Sequence, residues 1–165
     1  MAKKTLTITL YMSELIYDVQ NKTYLTGRSR KKGDNDEEVA HMQANDDDEN
    51  ANQVIRSIGN AFSILRTKLS EYIEEEGTTA DDKQLSSTSN LTVALKMPSN
   101  YNEGTRDTIS AVMHQYIVNS AIGDWFVITN KADANDYITL ASANIDQLRE
   151  AINKRVRPKR TEVTP

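Results

Sequence analysis

No cysteine occurs in the 165 residues, which excludes disulfides, thiolate nucleophiles and cysteine metal sites. A reducing compartment is compatible with that absence without being required by it. No apolar run approaches the roughly 18 to 20 residues needed to cross a bilayer, so no membrane partner is expected. The start, Met1-Ala2-Lys3-Lys4, has no apolar core or cleavage site, and secretion by a cleaved signal is not expected either. The 6 glycines are scattered as apparent helix stops and loop points. Neither G-x-G-x-x-G nor the phosphate-cradling G-x-x-x-x-G-K-[ST] is present, so no nucleotide site is legible.

Reactive side chains are equally sparse. The two histidines are His41, in a polar stretch near Glu37 and Glu38, and His114, beside Met113 and Gln115. Nothing in their spacing links them to a metal, and they read as one solvated histidine and one at the edge of a packed face. Asp34-x-Asp36-x-Glu38 begins like a calcium loop, but Val39 stands where the turn requires glycine and Asn45 where the glutamate belongs. Asp46, Asp47, Asp48 and Glu49 precede an apolar periodic segment, where negative charge suits a helix N-terminus. No serine lies in a G-x-S-x-G setting. The expectation is no enzyme, no metal and no cofactor.

What the chain does have is periodic apolar patterning. Ile109, Val112, Met113, Tyr116, Ile117, Ala121 and Trp125 recur at spacings of three and four, as do Tyr137, Ile138, Ala141, Ile145, Leu148 and Ile152. Each set forms one stripe of an amphipathic helix, so residues 105–156 read as a helical hairpin. Asn130-Lys131-Ala132-Asp133 reads as its turn, with the asparagine as exit and Asp133 as the next N-cap. From about Asn50 a third long helix is expected to run to Glu74, Glu75 and Glu76, on a stripe from Val54 to Ile73, with Gly77 as its stop. Trp125 is either core or, with its large area and polar handle, an interface anchor.

Two segments alternate with period two. Leu6, Ile8, Leu10 and Met12 face away from Thr5, Thr7, Thr9 and Tyr11, while Leu91, Val93, Leu95 and Met97 alternate until Pro98. Such a pair is barely stable alone and needs helices behind it, or a strand from another copy at an open edge. Ser13 and Glu14 open a shorter helix with Leu15, Ile16, Val19 and Tyr24 inward and Gly27 as its end. Residues 28–50, with little apolar content beyond Val39 and Met42, read as a long loop, and so does the stretch from Gly77 to Asn90.

The expected fold is therefore α+β, mainly a helical bundle of three long helices and one shorter, with a two-stranded β ribbon and long polar arms. Residues 1–156 form one domain carrying the charged loop at 28–50, and 157–165 a basic tail. A chain of this length buries roughly two thirds of its unfolded surface, enough for a self-supporting core.

A net charge of −4 conceals unlike blocks. Arg28, Arg30, Lys31 and Lys32 form one basic cluster, and Lys154, Arg155, Arg157, Lys159 and Arg160 another. Cations at the end of the last helix complement its dipole; the competing reading is contact with nucleic acid or an acidic protein surface. The candidate interface residues are Arg28, Arg30, Lys31, Lys32, Trp125, Arg155, Arg157 and Arg160. A pI near 5.2 and the lack of aromatics among the bases argue against a dedicated nucleic-acid binder.

Four strings carry a resemblance: DVQNKTYLTGRSR from Asp18, AHMQAND from Ala40, MHQYIVNSAIGDWF from Met113 and NKADANDY from Asn130. Together they resemble small virion structural proteins of tailed phages of gut Bacteroidales, the crAss-like group among them. The resemblance implies a viral structural role at the virion neck or tail, as a head-tail connector or ring adaptor assembled in the host cytoplasm. It also implies a homo-oligomeric ring, twelve-fold, stacked between portal and tail proteins with genomic DNA passing nearby. Acidic surface suits a DNA channel, since like charge repels phosphates, and Asp46 to Glu49 with Glu74 to Glu76 are candidates for it.

Overall fold

The computed structural model describes residues 2–73 and 80–161. The chain is α+β, with five α-helices and a two-stranded antiparallel sheet among the described residues. Strand β1 (Lys4–Tyr11) pairs with β2 (Asn90–Met97) in a register from Lys4 opposite Met97 to Tyr11 opposite Asn90. The alternation does what period two dictates: Leu6, Ile8, Leu10, Leu91, Val93, Leu95 and Met97 are buried on one face. Met12, expected at the strand's end, instead opens α1 (Met12–Ser29) and is itself buried.

Helix α1 is longer than its composition suggests. It runs through Gly27, which is no stop; a Cβ there would meet the Val39 carbonyl at 3.1 Å, so glycine is what lets the following segment approach. Its inward row includes Thr23 rather than Tyr24, which is exposed. Thr23 Oγ1 donates to Val19 O at 2.8 Å and accepts from Ala44 N at 3.1 Å, so this buried hydroxyl is fully employed.

The expected loop at 28–50 contains a seven-residue helix, α2 (Asp36–Met42). Gly33, at φ +62°, makes the turn before it. The Asn35 side chain ties the turn by accepting from Lys32 N at 2.7 Å and donating to Arg30 O at 3.0 Å. The acids that imitated a calcium loop, Asp36, Glu37 and Glu38, form its first turn, where the helix dipole favours them.

Helix α3 (Asp48–Lys68) buries Val54, Ile55, Ile58, Ala61, Phe62 and Leu65, with Asp48 and Glu49 in its first turn as expected. It ends sooner than the stripe implies. A 3₁₀ turn at Ser70–Tyr72 follows, and Ile73 bridges to Leu95 on the ribbon. Leu69, still bonded to Leu65 O, is buried, and Ile73 packs partly buried against the core. The expected end at Glu74 to Glu76 and the stop at Gly77 lie outside the described residues.

The hairpin pairs α4 (Arg106–Thr129) with α5 (Lys131–Asn153). Asn130 alone joins them: its N–H bonds Phe126 O at 2.8 Å, and its carbonyl accepts from Asp133 N and Ala134 N. The four-residue turn with Asp133 as cap is thus corrected to a one-residue junction, with Asp133 buried inside the first turn of α5. Helix α4 is buried around most of its circumference, with α5 on one side and α1, α3 and β1 also packed against it. Ile138 Cγ1 lies 3.0 Å from where a Cβ on Gly123 would be, so that glycine lets the two helices close. Between them Asn119 Nδ2 donates to Asn144 Oδ1 at 2.8 Å, and Asn144 Nδ2 to Gln115 Oε1 at 3.4 Å. After Asn153 the chain is extended, with Val156 N bonded to Asn100 O at 2.8 Å. No helix among the described residues is long and apolar enough to cross a membrane.

Candidate interaction surfaces

The first basic cluster is used largely within the chain. Arg30 donates Nε to Asp133 Oδ2 at 3.0 Å and Nη2 to Asp133 Oδ1, a bidentate grip between the end of α1 and the start of α5. The guanidinium is 53% exposed and the carboxylate 6%. Hydrogen bonding to Asp133, reinforced by its charge, raises the Arg30 pKa. The same bond lowers that of Asp133 against the opposing effect of burial, with help from Asn130, whose Nδ2 donates at 2.6 Å. Arg28 lies over the Tyr24 ring and donates to its hydroxyl at 3.1 Å. Lys31 pairs with Asp36 at 2.8 Å across the surface. Lys32 is exposed and makes no ion pair among the described residues.

Trp125 is placed inside the subunit rather than presented as an anchor. Only 8% of it is exposed, and its Nε1 donates to Met42 O at 2.9 Å, fastening the C-terminus of α2 to α4. Sequence reasoning missed this role because the bond falls on a backbone carbonyl, which no residue pattern marks.

The second basic cluster divides in two. Arg155 turns back on its own chain, donating Nη1 to Ile152 O at 2.9 Å, and Lys154 pairs with Glu150 at 3.0 Å. Both satisfy the end of α5, as cations there do. Arg157, Lys159 and Arg160 are exposed and make no ion pair among the described residues.

The histidines part company. His41 lies in the last turn of α2, whereas His114 Nε2 and Asp18 Oδ2 are 2.6 Å apart, joining α4 to α1. Among the described residues no three acidic or histidine side chains are grouped closely enough to hold a metal ion. Asp46 accepts from Gln20 Nε2 at 2.6 Å.

One recess that neither motif nor period marks is a groove of about 550 Å³ between α3 and α5, floored by α4. Ala61, Ile64, Tyr116, Ile138, Ala141 and Ile145 give it apolar walls. Ile138, expected inward, is 45% exposed here, and Ile64 is half exposed. The stripe on α5 is wider than α4 can cover, so its edge remains in solvent. Asp124 sits at one end, hydrogen-bonded to the buried Ser57; burial raises its pKa and that bond opposes the rise.

No family model, curated protein or solved structure matches the chain.

Proposed function

We propose that the chain is a non-enzymatic structural subunit of a phage virion: a head-tail connector or ring adaptor, stacked in many copies between portal and tail around the DNA channel. The family comes from the four sequence strings that resemble crAss-like virion proteins. The observation that carries the physical side is the contrast between a packed helical body and an exposed basic extension. Arg157, Lys159 and Arg160 project beyond the last fixed residue, Val156. Such an extension, held out from a body in which Arg28, Arg30, Lys31, Lys154 and Arg155 are engaged within the chain, suits gripping an acidic neighbour. Where a contact between unlike faces closes on itself it produces a ring.

Light scattering and negative-stain imaging of the purified chain, alone and mixed with portal protein, test the reading. Closed rings or stable co-complexes are expected, and persistent monomers in every mixture refute it. Arg155 caps its own helix and is left intact in the test. Reversing Arg157 and Arg160 to glutamate is expected to weaken docking while leaving circular dichroism unchanged.

The same exposed bases favour one rival, a nucleic-acid-binding accessory protein. That reading predicts DNA affinity falling steeply with salt, because each phosphate contact releases counterions. The proposed adaptor shows no such specific affinity.

A further inference from the structure

The groove between α3 and α5 has the shape and charge of a receptor for an extended basic segment. Its walls are apolar, and Asp124 and Asp146 line it without an ion-pair partner among the described residues. Lys68 also lines it, leaving the acids in excess. The hairpin sets Gly123 beside Ile138 and Asn119 beside Asn144. Continuing that pairing puts Asp146 two helical turns along the groove from Asp124, a rise of about 11 Å.

The tail carries the matching pattern. Pro158 confines Arg157 to extended or polyproline II geometry. In polyproline II, residues three apart lie on one side, so Arg157 and Arg160 stand about 9 Å apart facing the same way. The tail is not in its own subunit's groove: residues 157–161 are exposed.

We infer that the groove between α3 and α5 receives the Arg157–Arg160 segment of a second copy of this chain, Arg157 and Arg160 meeting Asp124 and Asp146. Groove and tail are different surfaces, so each copy offers one to its predecessor and the other to its successor. This deepens the proposed assembly and rests on that reading for closure into a ring. The exposed edges of Ile64 and Ile138 give the Pro158 ring and the arginine stems apolar surface to cover.

A fluorescein-labelled peptide of residues 154–165, titrated into the full-length R157E/R160E chain, whose grooves no neighbour's tail fills, and followed by anisotropy, tests the docking directly. Saturable binding is expected, weakened at least tenfold by D124K/D146K in the chain or R157E/R160E in the peptide. Circular dichroism and the thermal midpoint of D124K/D146K verify that it folds. No binding, or binding indifferent to both reversals, overturns the inference. Binding seen only after residues 157–165 are deleted from the chain marks occupancy within one subunit and overturns the assignment to a second copy.

Sedimentation separates this outcome from that of the ring. The two reversed chains should each lose self-association and, when mixed, regain it, because the intact groove of one takes the intact tail of the other and the swapped charges of the second contact are again complementary. Rings that form without peptide binding remove this contact and leave the adaptor reading standing. Peptide binding by a chain that never closes into rings does the reverse.

Discussion

The α4–α5 hairpin and the arm from Arg28 to Asp47 are held in place by different physics. The hairpin is joined by area: Ile117, Ile122, Phe126, Leu148 and Ile152 are buried within it, and Gly123 lets the helices close. The arm has no buried side chain in α2 and depends on point contacts. Arg30 grips Asp133, Trp125 holds the Met42 carbonyl, Thr23 holds the Ala44 amide, and Asn35 knots the turn. Area is forgiving of small changes in angle and hard to remove locally. Point contacts are few and directional, so one substitution can free the arm while the body stays folded.

That contrast can be broken from either side. The largest effect belongs to the hairpin: Ile122→Ala, at a fully buried position, should cost about 2 to 5 kcal/mol through lost transfer energy and the cavity left behind. Urea unfolding should show the whole domain shifted in midpoint with an unchanged slope. A change confined to the hairpin would mean that it is not cooperative with the rest.

Asp133→Asn strikes the arm instead. It should cost about 1 kcal/mol, because water reaches the guanidinium side of the pair, and accelerate amide exchange in residues 30–44 with little change elsewhere. The Asp133 pKa is lowered in the folded chain. Its contribution is therefore fully present above the ordinary carboxylate value near ~4 and disappears as pH falls through the lowered folded value. Wild type and Asp133→Asn should differ at neutral pH and converge in acid; equal exchange at neutral pH would show the arm does not rely on this tie. The smallest effect is expected from Lys31→Ala. Its pair with Asp36 is more than half exposed on both sides, and the stability change should stay within about 0.5 kcal/mol. A larger loss would make the arm a charge network rather than a set of separate ties.

The same division decides what could be read from the amino acids alone. The stripes of α3, α4 and α5 and the inward faces of the ribbon were legible because periodic burial leaves a periodic imprint. Helix α2 was not, since Val39 and Met42 are too few to form a stripe and neither is fully buried. The early end of α3 and the polar interior positions Thr23, Ser57 and Asn144 answer to partners distant in sequence. The candidate interface suffered most from this. Arg30 and Arg157 look alike as letters, and only a carboxylate 103 residues away makes the first an internal tie. The groove was invisible for a related reason: its walls come from three helices, and no pattern within any one of them shows how the three meet.

The single-residue joint at Asn130 also has a bearing on how the molecule comes together in time. Its two helices are neighbours along the chain, so their mutual collapse closes only short loops and belongs among the quick events of folding. The ribbon is the opposite case, since Thr9 must find Thr92, 83 positions further along the chain. During synthesis β1 emerges first and stays without its partner until β2 has left the ribosome. A pulse of proteolysis or exchange on nascent chains should therefore find the amino-terminal strand unprotected until residues 90–97 have emerged.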